Sequence, residues 1–572
     1  MIEIGEPAIN YAFREISKFE RVSPTVSCIE KDYLAWHWKK TISNNPLIHL
    51  KFRIEFSPQF PLVWPKVYIA EETFEKIGWI PHLDSDRCLC LFVSHDTPDC
   101  SAPPNVIVFQ AMQKAQKTVI SGMERRPEDY SEEFLSYWKL NYDGTDDIVW
   151  KILLWGDVVF KKNSSIEVFD LKEHIGGCFC AVVAPDNQEQ FENYLKFTKN
   201  QIESTGPAFY VGTISSFSRP PFLLKNKDIC GVLVSNRLIN RSNFRRYFSK
   251  RSRPIVLFQK ELSNQKLLKL GWSHRKALVT REGFRNGIEQ RLHLQKDDPI
   301  KRLAFEELSL KRLQNRTTGM EYEDSPSFLL MGVGSIGSNL VHFLNGYNPF
   351  WTFIDNDILK VENIGRHYLG LSYTGEAKTD AIKKFLVKKN PLIDVKSYND
   401  DILEIIDGKL PEINRNDFIF SCLGEFNIQS RIGEYLLAGD IAVPIFFIWV
   451  EPYLAGGHCL YIPPKTQNYS DQFVDEFYKN NVIKPENYKN EELSLFLREA
   501  GCQTVYTPYA QVDVTLFLSA LFPWVDKIIK SMDVSAQAFT WIGNQEPLKE
   551  KGVAISPAFM NKEQGEVQET IL

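Results

Sequence analysis

The 572-residue chain contains no Cys-x-x-Cys pair, and its ten cysteines are scattered over the whole length. That spacing excludes a disulfide scaffold and argues against a structural zinc site. No apolar run approaches the length of a membrane-spanning helix. Residues 1–10 carry Glu3 and Glu6 where a secretory leader would carry Lys or Arg, and no apolar stretch follows. A cytoplasmic protein without a membrane partner is the expectation. No long block of one charge sign occurs, and the net charge of -5 argues against direct nucleic-acid binding.

What is present suits a soluble multidomain chain: 44% hydrophobic and 24% charged residues, in a length too great for a single core. Three segments are expected. Residues 1–145 open with Ile4, Ala8, Tyr11, Ile16 and Phe19 at roughly helical spacing. Strand-like runs follow at Thr25–Glu30, Ile48–Phe56 and Lys66–Ala70, and then helix candidates at 105–124 and 128–141. The order suggests α+β. Residues 146–320 show strand-like Ile175–Val183 and Pro207–Ile214, Arg-rich turns over Arg237–Arg253, and a charged helix over Ile300–Gln314 started by Pro299. No chemical motif appears there, and a linker domain is expected. Residues 321–572 alternate strand and helix, which predicts a mostly parallel sheet with helices on both faces. The fold class is therefore multidomain α/β.

Three places carry chemistry. Gly332-Val333-Gly334-Ser335-Ile336-Gly337 follows the apolar run Phe328–Met331 and opens a helix, so its backbone can approach phosphates at the positive helix end. Asp355, at the end of the next strand, stands where an acid can bond a ribose. Alone, this pattern favours a nicotinamide or flavin dinucleotide over ATP. Cys502 lies in Gly501-Cys502-Gln503-Thr504-Val505-Tyr506-Thr507-Pro508, just before a helix-like run whose N-terminus would favour a thiolate. The preceding Lys465–Glu499 is polar and rich in Asn and Lys, as a mobile loop would be. Cys90 lies in Pro81-His82-Leu83-Asp84-Ser85-Asp86-Arg87-Cys88-Leu89-Cys90, with Cys88 as a rival thiol.

Asp355, then Asn363-Ile364-Gly365-Arg366, then Gly375-Glu376-Ala377-Lys378, resembles the adenylation domains of ubiquitin-activating enzymes and their ThiF/MoeB relatives. The resemblance implies ATP and Mg2+ as cofactors. It gives Gly332, Gly334, Gly337, Asp355, Asn363, Arg366 and Lys378 as nucleotide-binding residues, with Arg366 and Lys378 also catalytic. One departure is Ser421-Cys422-Leu423-Gly424-Glu425, where the family carries a magnesium-binding acid. Glu425 could substitute, and the metal ligands stay open. The segment around Cys502 resembles the catalytic-cysteine loop of autophagy-type activating enzymes, in which the cysteine attacks an acyl adenylate.

Phe56-Ser57-Pro58-Gln59-Phe60-Pro61-Leu62-Val63-Trp64-Pro65, followed by Pro81 and Cys90, resembles the ubiquitin-conjugating fold. There the cysteine stands nine residues after the proline of a His-Pro-Asn turn, and Pro81 to Cys90 keeps that spacing. Cys90 is thus favoured over Cys88. Here Ile80-Pro81-His82 replaces His-Pro-Asn, and His82 could take the orienting role of the missing Asn.

Both domains in one chain resemble the conjugating–activating fusion proteins of bacterial CBASS anti-phage operons. That resemblance implies activation of the C-terminus of a cGAS-like nucleotidyltransferase, thioester transfer from Cys502 to Cys90, and conjugation to a target amine, an acceptor lysine. It also implies a homodimer. Other readings are conjugation of a separate ubiquitin-like protein, a ThiF-type sulfur-carrier adenylase with an inert N-terminal adaptor, an NAD-dependent oxidoreductase, and a scaffold without chemistry.

Overall fold

The computed structural model describes residues 6–18, 22–25, 34–42, 48–91, 102–124, 134–140, 149–214, 217, 221–235, 242–251, 253–262, 267–278, 295–317, 325–498, 505–531 and 535–572. The chain divides into two compact units. The first comprises Met1–Leu154, Val159–Val182 and Ile202–Glu306. The second comprises Trp155–Val158, Val183–Gln201 and Glu307–Leu572.

The first unit begins with the helix Glu6–Ile16 and a four-stranded antiparallel sheet of Val22–Thr25, Leu34–Ile42, Ile48–Phe56 and Lys66–Ile69, in that order. The period-two pattern of Ile48–Phe56 has a physical outcome. Leu50, Phe52, Ile54 and Phe56 are all buried, and they pack with Ile107, Ala111, Ala115 and Val119 of the helix Pro104–Met123. Of the second helix candidate, 128–141, residues 134–140 are described, and they contain the helix Phe134–Lys139.

After it the chain builds a closed barrel that no motif announced. Its seven strands run in the spatial order Leu267–Ser273, Lys301–Leu308, Val149–Trp155, Cys178–Val183, Ser164–Ile175, Ile202–Ile214 and Val256–Glu261. The expected charged helix over Ile300–Gln314 is instead the strand Lys301–Leu308 followed by the helix Leu310–Thr317. Its charges misled because Arg302 is buried. Its guanidinium donates to the carbonyls of Tyr137 (3.0 Å) and Leu140 (2.6 Å), so the burial cost is met by backbone acceptors distant in sequence.

The second unit is organised by an eight-stranded mixed sheet in the order Val395–Tyr398, Phe350–Ile354, Ser327–Met331, Phe418–Ser421, Ile445–Val450, Gly456–Ile462, Gln537–Ile542 and Val567–Ile571. The first five are parallel and the last three antiparallel, so the sheet is less uniform than expected. Alternation sorts the side chains. Phe328 and Leu330 face the helices Ser335–Leu344 and Gln511–Ser531, whereas Leu329 and Met331 face Ile402–Ile413 and Phe426–Ala438.

Of Lys465–Glu499, expected as a mobile loop, residues 465–498 are described and are pinned through Tyr469, Tyr478, Val482, Ile483 and Leu495, all buried. A buried carboxylate anchors it. Glu451 Oε1 accepts from Val482 N (2.6 Å) and His458 Nε2 (2.8 Å), and Oε2 accepts from Ile483 N (2.8 Å) and the Tyr488 hydroxyl (3.1 Å). Four donors make this acid tolerable in the interior. Glu451→Ala should therefore cost about 3–5 kcal/mol. Glu451→Gln, which keeps one acceptor, should cost less. Denaturant unfolding of the two variants checks the order, and limited proteolysis within 463–498 should accelerate in Glu451→Ala first.

Candidate active sites

The glycine loop sits at the carboxyl edge of the parallel strands. Gly332 has φ +87°, and a Cβ there would meet the Cys422 carbonyl oxygen at 2.9 Å. A Cβ on Gly337 would lie 2.0 Å from the Gly332 carbonyl oxygen, so this glycine lets the helix Ser335–Leu344 close onto the loop. Space around Gly334 is open, as an approaching ligand requires.

Asp355 follows the strand Phe350–Ile354, and its carboxylate is already engaged. Oδ2 accepts from Val333 N (2.6 Å) and Oδ1 from Asp357 N (2.8 Å). Burial raises its pKa, with Lys378 and the two amide donors acting in the opposite direction. Lys378 heads the helix Lys378–Lys389. Its side chain is only 10% exposed, and Nζ meets Asp357 Oδ2 at 2.5 Å. Asn363 Oδ1 accepts from Lys360 N (3.0 Å), which fixes the short helical turn Val361–Asn363. Arg366 donates to the Thr507 carbonyl (3.4 Å), and its guanidinium lies 5.3 Å from the centre of the Tyr509 ring.

Asn363, Arg366, Lys378 and Asp357 line one cavity of about 1070 Å³ together with Tyr453 and Thr507. Asp355 and the three glycines are not among its lining residues. Cys502 lies outside the described residues. The residues that follow it in the chain, Tyr506 to Ala510, form part of the cavity lining.

The described residues contain no group of three or more His, Cys, Asp or Glu able to hold a metal ion by themselves. Glu425 is exposed at the head of the helix Phe426–Ala438 and is not in the cavity lining. Asp357 is the carboxylate beside Lys378. A single carboxylate suits a magnesium ion that takes its other ligands from phosphates and water.

Sequence reasoning gave His367 no task. It is buried: Nδ1 accepts from Leu369 N (3.0 Å), so Nε2 carries the proton and donates to the Val333 carbonyl (2.8 Å). The imidazole thus holds the glycine loop from the side opposite Asp355. Asn339 was also missed. Its Nδ2 donates to the Arg366 carbonyl (2.9 Å), and its Oδ1 accepts from Gln511 (2.9 Å). Neither contact leaves a local sequence signal, since each joins residues far apart in the chain.

In the first unit, Cys90 is exposed and its backbone N–H donates to the His82 carbonyl (2.8 Å). His82 adopts φ 61° and is half-buried. Leu89 N donates to the Val67 carbonyl (2.8 Å) and Asp84 N to that of Cys88 (2.8 Å), so the loop is laced to the sheet. Cys88 is half-buried. Burial, and next the Asp86 carboxylate, push its thiol up to about 12. Cys88 is thus a poor nucleophile beside a surface thiol.

Residues 315–496 match the ThiF family. Residues 29–145 match the prokaryotic E2 family B. The chain is thus a multidomain α/β protein with an N-terminal E2-like domain and a C-terminal ThiF Rossmann-like domain. Comparison with curated proteins gives no match. Similar solved structures include selenomethionine PaaA, at 15% identity and TM-score 0.29, over 43% of this chain and 64% of that one. Another is E. coli MccB with selenomethionine MccA, at 16% identity and TM-score 0.30, over 43% and 63%. The match therefore spans less than two thirds of either protein's length.

Gly337→Ala forces the loop off its helix and should cost about 1–3 kcal/mol in denaturant unfolding, with weakened nucleotide binding. His367 is held by burial at about 4, against 6.5 for the free side chain. On acidification the unfolded chain takes up this proton near pH 6.5 and the folded one only near 4. Stability is therefore full above 6.5 and declines as pH falls toward 4, by at most about 3 kcal/mol. Unfolding curves across that window should show a shallower pH slope for His367→Gln than for the parent.

Proposed function

We propose that this protein activates a carboxyl terminus with ATP and passes it through two thioesters to an amine. The observation that carries the reading is a ThiF domain and an E2 domain in one chain, a pair that supports ubiquitin-like activation and conjugation in general. Two cations, Arg366 and Lys378, line the cavity of the first, and an exposed Cys90 stands in the second.

The chemistry follows from charge. A substrate carboxylate attacks the α-phosphate of ATP, pyrophosphate leaves, and an acyl adenylate forms. Negative charge grows on the phosphoryl oxygens, where Arg366 and Lys378 stabilise it. Asp357 is positioned to steer Lys378 and to share a magnesium ion with the phosphates; bound there, the ion would neutralise phosphate charge. The Cys502 thiolate then displaces AMP to give a thioester, and Cys90 takes the acyl group by thiol exchange. A lysine amine of a target finally attacks the Cys90 thioester, giving an amide and the free thiol. In this proposal the activated terminus belongs to a cGAS-like nucleotidyltransferase, the setting is CBASS anti-phage defence, and the enzyme works as a homodimer in the cytoplasm.

The test is incubation with ATP and the nucleotidyltransferase, resolved on non-reducing gels. Two thiol-sensitive adducts are expected, both absent in Cys502→Ala. Cys90→Ala should keep the first and lose the second. Arg366→Ala should lower ATP–pyrophosphate exchange by about 10²–10³-fold. A Cys502→Ala protein that still charges Cys90 would sink the relay. Adducts formed with a separate ubiquitin-like protein, and none with the nucleotidyltransferase, would move the reading to that substrate.

A further inference from the structure

Residues 237–253 hold seven Arg and Lys and no Asp or Glu, although the whole chain is acidic at net charge -5. The proposed chemistry uses none of them. In the fold this stretch contains the helix Ser242–Ser249, which buries Phe244, Tyr247 and Phe248 against the barrel and leaves its cations outside. Phe209 of the strand Ile202–Ile214 stacks on Tyr247 with ring centres 5.5 Å apart. The Tyr247 hydroxyl accepts from Ile255 N (2.9 Å) and donates to the Pro207 carbonyl (2.9 Å), so the helix is held firmly on the strand.

Between helix and strands lies a cavity of about 460 Å³. Asn163, Ser165, Asn243, Arg246, Lys250 and Arg251 supply its polar lining, and Phe209 and Tyr247 its apolar floor. No acidic side chain lines it. Among the described residues, neither Arg246 nor Lys250 forms an ion pair. Asn163 adds a second kind of group. It turns the chain into the strand Ser164–Ile175 at φ 60°, and its Oδ1 is buried with no hydrogen-bond partner. The site therefore offers cations and an unused acceptor, beside a flat aromatic surface. A ligand that satisfies all three bears an anion, hydroxyl donors and a compact apolar face. The volume is that of a small-molecule site rather than of a polymer track.

We propose that the barrel is a binding domain for a small phosphate ester of a sugar, a sugar phosphate or nucleotide in class. Arg246 and Lys250 grip the phosphate, and Asn163 accepts from a sugar hydroxyl. The site lies within the first unit and is separate from the ATP cavity of the second.

The probe is ribose 5-phosphate, titrated calorimetrically into the full chain at low salt, with ribose and sulfate as parallel arms. Saturable binding of ribose 5-phosphate is expected, at least tenfold tighter than either control. Arg246→Gln with Lys250→Gln should weaken it at least tenfold while ATP–pyrophosphate exchange stays at the parent level. Ser165→Glu, which keeps both cations and adds a carboxylate at the rim, should weaken it as well. Arg366→Ala, in the ATP cavity, should leave it unchanged. Unaltered affinity in the first two variants overturns the proposal, as does sulfate binding equally well. Single-stranded oligonucleotide bound more tightly with increasing length would also overturn it, and would make the patch a polyanion surface.

Discussion

The hydrogen bond from Val333 N–H to the Asp355 carboxylate joins the ends of two adjacent parallel strands. The other contacts described at the candidate site are registered to it. The glycine loop cannot swing away from the sheet edge, because Asp355 holds Val333 by its amide and His367 holds the same residue by its carbonyl. From Asp355 the next amide bond reaches Asp357, Asp357 pairs with Lys378, and Lys378 starts a helix. A cation is thereby delivered to the cavity by a chain of short contacts rather than by a long free side chain. Such pre-positioning is what makes a charge effective during reaction, since nothing must reorganise when negative charge develops.

Much of this site could be read from the sequence because its parts are local. The glycine loop, the strand-end acid and the helix-heading lysine each occupy a place defined by one strand-to-helix turn, and residue type and spacing suffice to find them. The braces could not be read in that way. His367 contacts Val333, Asn339 contacts Arg366, and Glu451 contacts Val482 and Ile483, all across sequence gaps that only the fold closes. The same holds for the barrel. Its strands pair out of order, and the strand Lys301–Leu308 carries charges that imitate a solvated helix until Tyr137 and Leu140 offer carbonyls to Arg302. The described part of Lys465–Glu499 misled for the opposite reason. Its composition is that of a loop, and its five buried anchors are too widely spaced to show a period.

Two buried charges among the described residues are heavily partnered. Glu451 has four donors, and Arg302 has two carbonyl acceptors. Both act as fasteners for segments that lack an apolar stripe of their own. Arg246 and Lys250, which form no ion pair among the described residues, stand together at one cavity.

The two-residue step from Cys88 to Cys90 has a consequence for fidelity. Adjacent thiols on one turn would ordinarily compete for an acyl group, or oxidise against one another. Here the fold makes them unequal. One is sunk beside an aspartate and stays protonated through any physiological pH, while the other stands in solvent. Under the proposed relay, a reactive ester arriving at this loop would meet one favoured sulfur rather than two competing ones.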